Sequence, residues 1–221
     1  MLRVFLAASL VLLGAQITGQ ETARTASQPS KPLTLAQVWM LNTTYADPQH
    51  GVTFRRPGTW QAATQSGYLE SALAQSDAAK PFAGFEYSEG GFPRSATVGP
   101  YTATNLESVG IVYSVVPAAT GDACEAIATS VSETPKHTQV LFGGRSFSAY
   151  TTASASMSHS ISGNLYATHM GSTCYLFETD VAVVSPGVVD GIRPLTSTQL
   201  DSIHNHLLQI MKTVQIASRG N

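Results

Sequence analysis

The chain has 221 residues, of which 43% are hydrophobic and 12% are charged, and its formal net charge is -2. This hydrophobic content is typical of a globular protein with a buried core and excludes an intrinsically disordered chain. Lysine and arginine are not concentrated in any segment. We therefore expect no nucleic-acid partner, because phosphate binding needs clustered positive charge.

The first residues have the pattern of a cleaved secretory signal peptide. Arg3 supplies a positive charge, residues 4–13 form an apolar run, and small residues follow. The run is too short to cross a bilayer, which takes roughly 20 apolar residues. We predict a signal peptide over residues 1–19 and a secreted or periplasmic protein with no membrane span after cleavage.

The next segment, residues 20–34, is rich in Thr, Ser, Gln and Pro and has no hydrophobic periodicity. This composition predicts a flexible linker. A single α+β domain is expected over residues 35–216, and residues 217–221 are expected to form a C-terminal tail.

The domain opens with predicted strands and turns. A turn over residues 47–51 leads into a strand at 52–55, which Pro57 and Gly58 end, and Trp60 begins the next strand. Alanines and leucines predict a short helix within residues 68–80. Aromatic and β-branched residues predict strands at 82–87 and 110–116.

A helix is predicted after these strands, with Asp122 as its N-cap. Cys124, Ile127, Ala128 and Val131 recur at helical spacing, which turns Cys124 toward the core, and Pro135 ends the helix.

From His137 onward the pattern predicts a β-meander of four antiparallel strands, the last at residues 173–184. Glycine-containing pairs supply the hairpin turns, because glycine adopts positive φ at little cost. The three predicted turn pairs are Gly143 with Gly144, Gly163 with Asn164, and Gly171 with Ser172.

The last predicted element is an amphipathic helix. Thr196 and Gln199 have the spacing of a capping box. One apolar stripe at helical period follows and is expected to pack across the sheet. Its residues are Leu200, Ile203, Leu207, Ile210, Met211 and Val214.

The segment from Tyr45 to Trp60 resembles the opening of PsbP/Mog1-like proteins. It has an aromatic-x-Asp turn at Tyr45, a strand with an aromatic residue, and then Pro57-x-x-Trp60. The closing helix is similar to theirs, and Cys174-Tyr175 after a glycine turn resembles uncharacterised secreted bacterial proteins. The resemblance implies an antiparallel β-sheet packed against helices over residues 40–216. It implies a binding or accessory role and supplies no catalytic residue.

The two cysteines, Cys124 and Cys174, both follow the predicted signal peptide. In an oxidising compartment an even pair favours a disulfide. Closing a loop of this length would stabilise the fold by about 4 kcal/mol.

An alternative interpretation centres on His169 and Cys174. Pairing about the predicted turns places His169 opposite Ser158 and Cys174, which would suit an activated thiolate nucleophile. Soft ligands nearby would suit copper, although His159 and His169 then point to opposite sheet faces. These ligands are Met157, His159, His169, Met170 and Cys174. We favour the disulfide, with packing methionines and exposed histidines, and predict no catalytic, cofactor or metal site.

Two further groups of polar residues are predicted to be structural. Glu178 and Asp180 share one face of the last strand, with Glu86 on a neighbouring strand, and predict a solvated sheet face. His204 and His206 lie two apart on a helix, so they flank opposite edges of its apolar stripe and cannot bind one ion.

The sequence thus favours a secreted or periplasmic, non-enzymatic binding module whose partner is an envelope protein or a small ligand. A metal-handling protein or thiol enzyme at His169 and Cys174 is the alternative. A binding module should carry a groove or apolar patch near residues 90–100 or the Trp60 end.

Overall fold

The computed structural model describes residues 31–63, 71–89, 99–134, 137–155, 158–185 and 187–217. The predicted signal peptide, most of the predicted linker and residues 218–221 lie outside this part of the chain. From Lys31 onward the chain belongs to one unit.

Within the described residues, ten strands and four helices follow one another along the chain. Their order is α1 (Leu35–Trp39), β1 (Thr43–Asp47), β2 (Val52–Arg56), β3 (Gln61–Ala62), α2 (Ala72–Gln75), β4 (Ala83–Ser88), β5 (Leu106–Pro117), α3 (Gly121–Val131), β6 (Thr138–Phe142), β7 (Arg145–Ala155), β8 (His159–Met170), β9 (Thr173–Val184), α4 (Ser197–Met211) and β10 (Gln215–Ile216). None of the helices in these ranges is long and apolar enough to cross a membrane.

The strands form two antiparallel sheets, so the fold class is α+β as predicted. The larger sheet has seven strands in the order β3-β4-β5-β9-β8-β7-β6, and the smaller has the order β1-β2-β10. The sequence predicted one sheet. The second arises because the opening hairpin pairs with the residues that follow α4.

Two of the three predicted glycine turns are confirmed. Gly143 and Gly144, with φ of 55° and 78°, connect β6 to β7, and Gly171 with Ser172 connects β8 to β9. The third is wrong, because Gly163 and Asn164 lie in the middle of β8.

Gly163 leaves room for the neighbouring strands instead of making a turn. A Cβ atom there would lie 2.3 Å from the carbonyl oxygen of Thr179 and 2.5 Å from Oδ1 of Asp180. Glycine occurs both in turns and where neighbouring strands approach closely. The glycine alone therefore does not show which of the two structures residue 163 adopts.

The helix ends follow local capping chemistry. The N-cap of α3 is Thr120 rather than the predicted Asp122, because the Thr120 hydroxyl accepts a hydrogen bond from the Ala123 amide at 3.2 Å. Asp122 lies in the first turn, where a negative charge favours the helix dipole. The capping box predicted for α4 is confirmed, with Thr196 and Gln199 bonded reciprocally. Of the helix predicted within residues 68–80, the described part is the short α2.

Strand β9 separates two hydrophobic cores. Tyr175, Phe177 and Val181 face the larger core, which α4 and the smaller sheet cover. Cys174 and Leu176 face the smaller core, to which α2 and α3 contribute. A strand at the centre of the larger sheet is therefore covered on both faces.

The opening segment joins the two sheets through Asp47. Its Oδ2 atom accepts hydrogen bonds from the Tyr113 hydroxyl and from Nδ1 of His50, each at 2.5 Å. Burial acts to raise the pKa of Asp47, but these hydrogen bonds outweigh burial and hold that pKa below its ordinary value. The aromatic-x-Asp turn of the sequence is thus a buried anchor between β1 and β5.

We expect Gly163→Ala to destabilise the protein by about 1–3 kcal/mol, because the added methyl group overlaps the Thr179 carbonyl and the Asp180 side chain. Chemical denaturation measures the effect. Gly121→Ala is the matched control, because a Cβ atom at Gly121 has nothing within 4 Å. Equal stability of the two variants would contradict the close approach at Gly163.

Candidate functional site

The predicted thiol site is partly assembled. His169 lies directly opposite Cys174 in the β8–β9 register, as expected. Ser158 does not lie opposite His169, because β8 begins at His159 and ends beyond His169. The pairing with Ser158 assumed a turn at Gly163, and that assumption was wrong.

Cys174 is bonded to Cys124 with a distance of 1.97 Å between the sulfur atoms. Its side chain is fully buried, and the bond joins the first turn of α3 to the start of β9. His169 directs Nε2 at the Ala118 carbonyl, 3.0 Å away. In this state the sulfur carries no thiolate for the imidazole to activate.

A shallow polar cleft of about 340 Å³ lies beside this disulfide. Its lining includes Asp122, Glu125, Ser146, Thr168 and His169. Glu125 is held by His137, with Oε1 3.0 Å from Nε2. The cleft thus combines hydroxyl, carboxylate and imidazole groups.

The predicted copper ligands do not converge. His159 and His169 lie on the same face of β8, which corrects the expected opposite faces, but ten positions along a strand separate them by about 33 Å. His159 instead contacts Oε2 of Glu107 through Nδ1 at 2.5 Å. Met157 lies outside the described residues. No group of three or more metal-ligating side chains occurs within the described ranges.

Glu178 and Asp180 are fully buried, so the predicted solvated sheet face is wrong. They lie on the face of β9 that carries Cys174 and Leu176, which belong to the smaller core. The carboxylate of Glu178 accepts the Ala72 amide at 3.1 Å and the Leu73 amide at 2.8 Å. It thereby holds the first turn of α2 against the sheet.

Asp180 lies between two glycines, with Gly110 opposite it on β5 and Gly163 opposite it on β8. No donor group reaches either of its carboxyl oxygens. Burial and the adjacent charge of Glu178 raise the pKa of Asp180 well above its ordinary value of 3.8. Burial therefore favours the protonated form of Asp180.

Glu86 extends this acidic face toward the sheet edge. It lies opposite Gly110 on β5, in the same cross-strand row as Asp180. Burial and the charge of Glu107 raise the pKa of Glu86. Strands β4 and β9 therefore both place carboxyl groups on one face of the sheet, with Gly110 of β5 between them, and protonation would limit the repulsion between these groups.

His204 and His206 lie at the boundary of the α4 apolar stripe, as predicted. The ring of His206 stacks on that of Trp39, with 4.7 Å between centroids. Burial lowers the pKa of both histidines, so the neutral imidazole is favoured at each.

A second, larger cleft of about 580 Å³ lies between the β6–β7 hairpin and β10. Its apolar lining includes Phe142, Phe147, Val214 and Ile216. The lining residue with a formal charge is Arg145, which forms no ion pair with any residue in the described ranges. The sequence instead predicted a groove near residues 90–100 or the Trp60 end. Of residues 90–100, the structure describes residues 99 and 100.

Neither the acidic pair nor this cleft followed from sequence patterns. Alternating polar residues in β9 are typical of a solvated face, and nothing in the β9 residues themselves shows that α2 covers them. The cleft joins segments separated by about 70 residues in the chain, so no local motif indicates it.

We expect no free thiol in the native protein and two after unfolding with a reductant, as counted by a thiol-reactive chromophore. Replacing both Cys124 and Cys174 with alanine should lower the free energy of unfolding by about 4 kcal/mol through loss of loop closure. Reduced wild type is the control, since it should match the double variant. Two reactive thiols in the untreated native protein would exclude the disulfide.

We expect Asp180→Asn to become more stabilising, relative to wild type, as the pH rises from about 4 to about 8. The folded pKa of Asp180 is raised, so its contribution to stability is full below about pH 4 and is lost as the pH rises toward that folded pKa. Asparagine has no proton to lose and stays neutral throughout this range. Thermal melting across this range measures the difference.

Asp190→Asn is the control for this experiment, because Asp190 is exposed. Its melting temperature should follow that of wild type at every pH. A difference between Asp180→Asn and wild type that does not change with pH would contradict a retained proton at Asp180.

Comparison with known proteins gave similarity in structure and none in sequence. No family model matches the chain, and no curated protein gives a significant match. A protein of Bacteroides thetaiotaomicron covers 82% of this chain at 11% identity with a TM-score of 0.41, and the match spans 51% of that protein's length. LpqN of Mycobacterium tuberculosis, described as involved in cell envelope biogenesis, covers 85% of this chain at 10% identity with a TM-score of 0.42, over 99% of LpqN.

Mog1p of Saccharomyces cerevisiae, a Ran-binding protein, is also similar. It covers 79% of this chain at 10% identity, with a TM-score of 0.39, over 94% of its own length. The solved structures that are similar to this chain thus include Mog1.

Proposed function

We propose that this protein is an exported, non-enzymatic binding or accessory module that contacts its partner through the cleft between the β6–β7 hairpin and β10. Export is supported by the signal-peptide pattern of residues 1–19 and by the bonded pair Cys124 and Cys174, because disulfides persist in oxidising compartments. A predicted linker over residues 20–34 would separate the cleavage region from the binding domain at 35–216.

The cleft is the observation that carries this proposal. A volume of about 580 Å³ lies within the range of natural ligand sites, which combine apolar walls with a few polar groups. The apolar walls of the cleft include Phe142, Phe147 and Val214, and its positive charge comes from Arg145. A cation without an acidic neighbour in the described ranges favours a partner that brings a negative charge.

The cleft is also held rigidly. A Cβ atom at Gly143 would lie 2.5 Å from the Val214 carbonyl, so the hairpin backbone directly abuts the segment before β10. The Ala217 amide donates to the Gly51 carbonyl at 2.9 Å, which fixes the far wall. A site on such a braced scaffold needs little ordering when it binds, which favours affinity.

The alternative centred on His169 and Cys174 gains no support from the geometry. The sulfur of Cys174 is bonded to that of Cys124. His159 contacts the Glu107 carboxylate, and His169 contacts the Ala118 carbonyl.

We expect a photo-crosslinking amino acid at Gln215, in the cleft, to capture a specific partner from the native envelope or secreted fraction. The same amino acid at Gln209, exposed on α4, is the matched control. Mass spectrometry identifies the captured species. Arg145→Glu should then weaken binding of the purified partner by about tenfold or more, because a charge reversal replaces attraction with repulsion.

Equal capture from Gln215 and Gln209 would contradict a binding role for the cleft. Unchanged affinity of Arg145→Glu for the purified partner would exclude Arg145 from the contact.

A further inference from the structure

We propose that β6 binds an extended segment of a partner protein as an added antiparallel or parallel strand. This inference rests on the proposed function and deepens it, because it names the partner of the cleft as a protein and its contact as main chain.

Strand β6 is the terminal strand of the larger sheet and pairs with β7 alone in that sheet. The turn at Gly143 and Gly144 decides which main-chain groups face outward. The pair that flanks a two-residue turn, here Phe142 and Arg145, exchanges both hydrogen bonds across the hairpin. The N–H and C=O groups of Leu141 and Gln139 therefore point away from β7, and no main-chain bond is formed by them in the described structure.

This edge lacks the usual protection against strand pairing. Natural edge strands carry charges, prolines or bulges, or are very short. The sequence TQVLF of β6 contains no charge and no proline, and its pairing with β7 has no bulge. The opposite edge of the same sheet, β3, is only two residues long.

The side chain of Leu141 is 72% exposed, which makes it the most exposed large hydrophobic residue in the described ranges. An apolar side chain beside outward-facing main-chain groups is the arrangement that binds an added strand. Left uncovered, such an edge favours aggregation.

The two faces of β6 predict what the added segment contains. A residue opposite Phe142 would lie on the face of the 580 Å³ cleft, in a row with Arg145. An acidic side chain at this position would complement the guanidinium of Arg145, which has no ion-pair partner among the described residues. Its neighbour along the segment, opposite Leu141, would lie on the other face and should be apolar.

Charge complementarity argues against a second copy of this chain as the occupant. An antiparallel pairing of two β6 strands centred on Val140 would place the counterpart of Thr138 opposite Phe142. Threonine supplies no negative charge for Arg145. The pattern therefore favours a different protein with adjacent apolar and acidic residues in an extended segment.

The test begins with selection of displayed random peptides of about eight residues, a typical strand length, on the disulfide-bonded protein. The selected consensus peptide should contain adjacent apolar and acidic residues. Its affinity is then measured by titration calorimetry for wild type and variants. Circular dichroism confirms that each variant is folded.

Leu141→Pro should weaken binding of the consensus peptide by about tenfold or more, because proline removes an outward N–H that the peptide needs. The β6–β7 ladder should survive, since that N–H faces away from β7. Leu141→Thr keeps the N–H and should weaken binding less. Leu35→Thr is the matched control, because Leu35 is an exposed leucine at 47% on α1, and it should bind as wild type does.

Arg145→Gln should remove the preference for the acidic residue, measured by comparing the consensus peptide with its aspartate-to-asparagine analogue. The Leu141 amide should exchange hydrogen more slowly when peptide is bound, a readout that does not depend on any variant. Selection of no peptide, or equal binding to Leu141→Pro and wild type, would overturn the inference.

The two proposals can fail separately. A partner captured at Gln215 whose binding survives Leu141→Pro would leave the proposed function in place and exclude the added strand. Equal capture at Gln215 and Gln209 would exclude the cleft as the binding site, even if the selected peptides bound to β6.

Discussion

The burial of both faces of β9 is the constraint on which much of this structure depends. A central strand of a seven-stranded sheet must be covered on each side, and here α2 and α3 contribute to the cover of one side while α4 and the smaller sheet cover the other. The strand nevertheless carries Glu178 and Asp180. Burying them requires amide donors from α2, small residues on both neighbouring strands, and a retained proton.

The sequence predicted helices and turns correctly where residues close together in the chain determine the structure. The capping box at Thr196, the turns at Gly143 and Gly171, and the closing apolar stripe all depend on residues within a few positions of each other. The predictions were wrong where a distant segment decides. Gly163 was assigned to a turn because glycine serves equally for positive φ and for close approach, and only the neighbouring strand distinguishes the two.

The candidate site also depends on contacts between distant segments, so local patterns in the sequence could not predict it. Whether alternating polar residues in β9 are solvated depends on the placement of α2, which contacts them from about 100 residues away. The cleft needs β10, which follows α4 in the chain, and α4 packs on the larger core. The shape of the cleft thus depends on the packing of the last helix, although α4 contributes none of the cleft residues.

The bond between Cys124 and Cys174 has a mechanical consequence. The chain between these cysteines contains β6, β7 and β8 entirely, so the edge strand belongs to a covalently closed loop. Tension applied at the outer edge would be carried through the hairpin to α3 and β9, whose positions relative to each other are fixed by the sulfur atoms. Tension between the two ends of the chain would pass through the sulfur atoms, so β6, β7 and β8 lie outside the covalent load path.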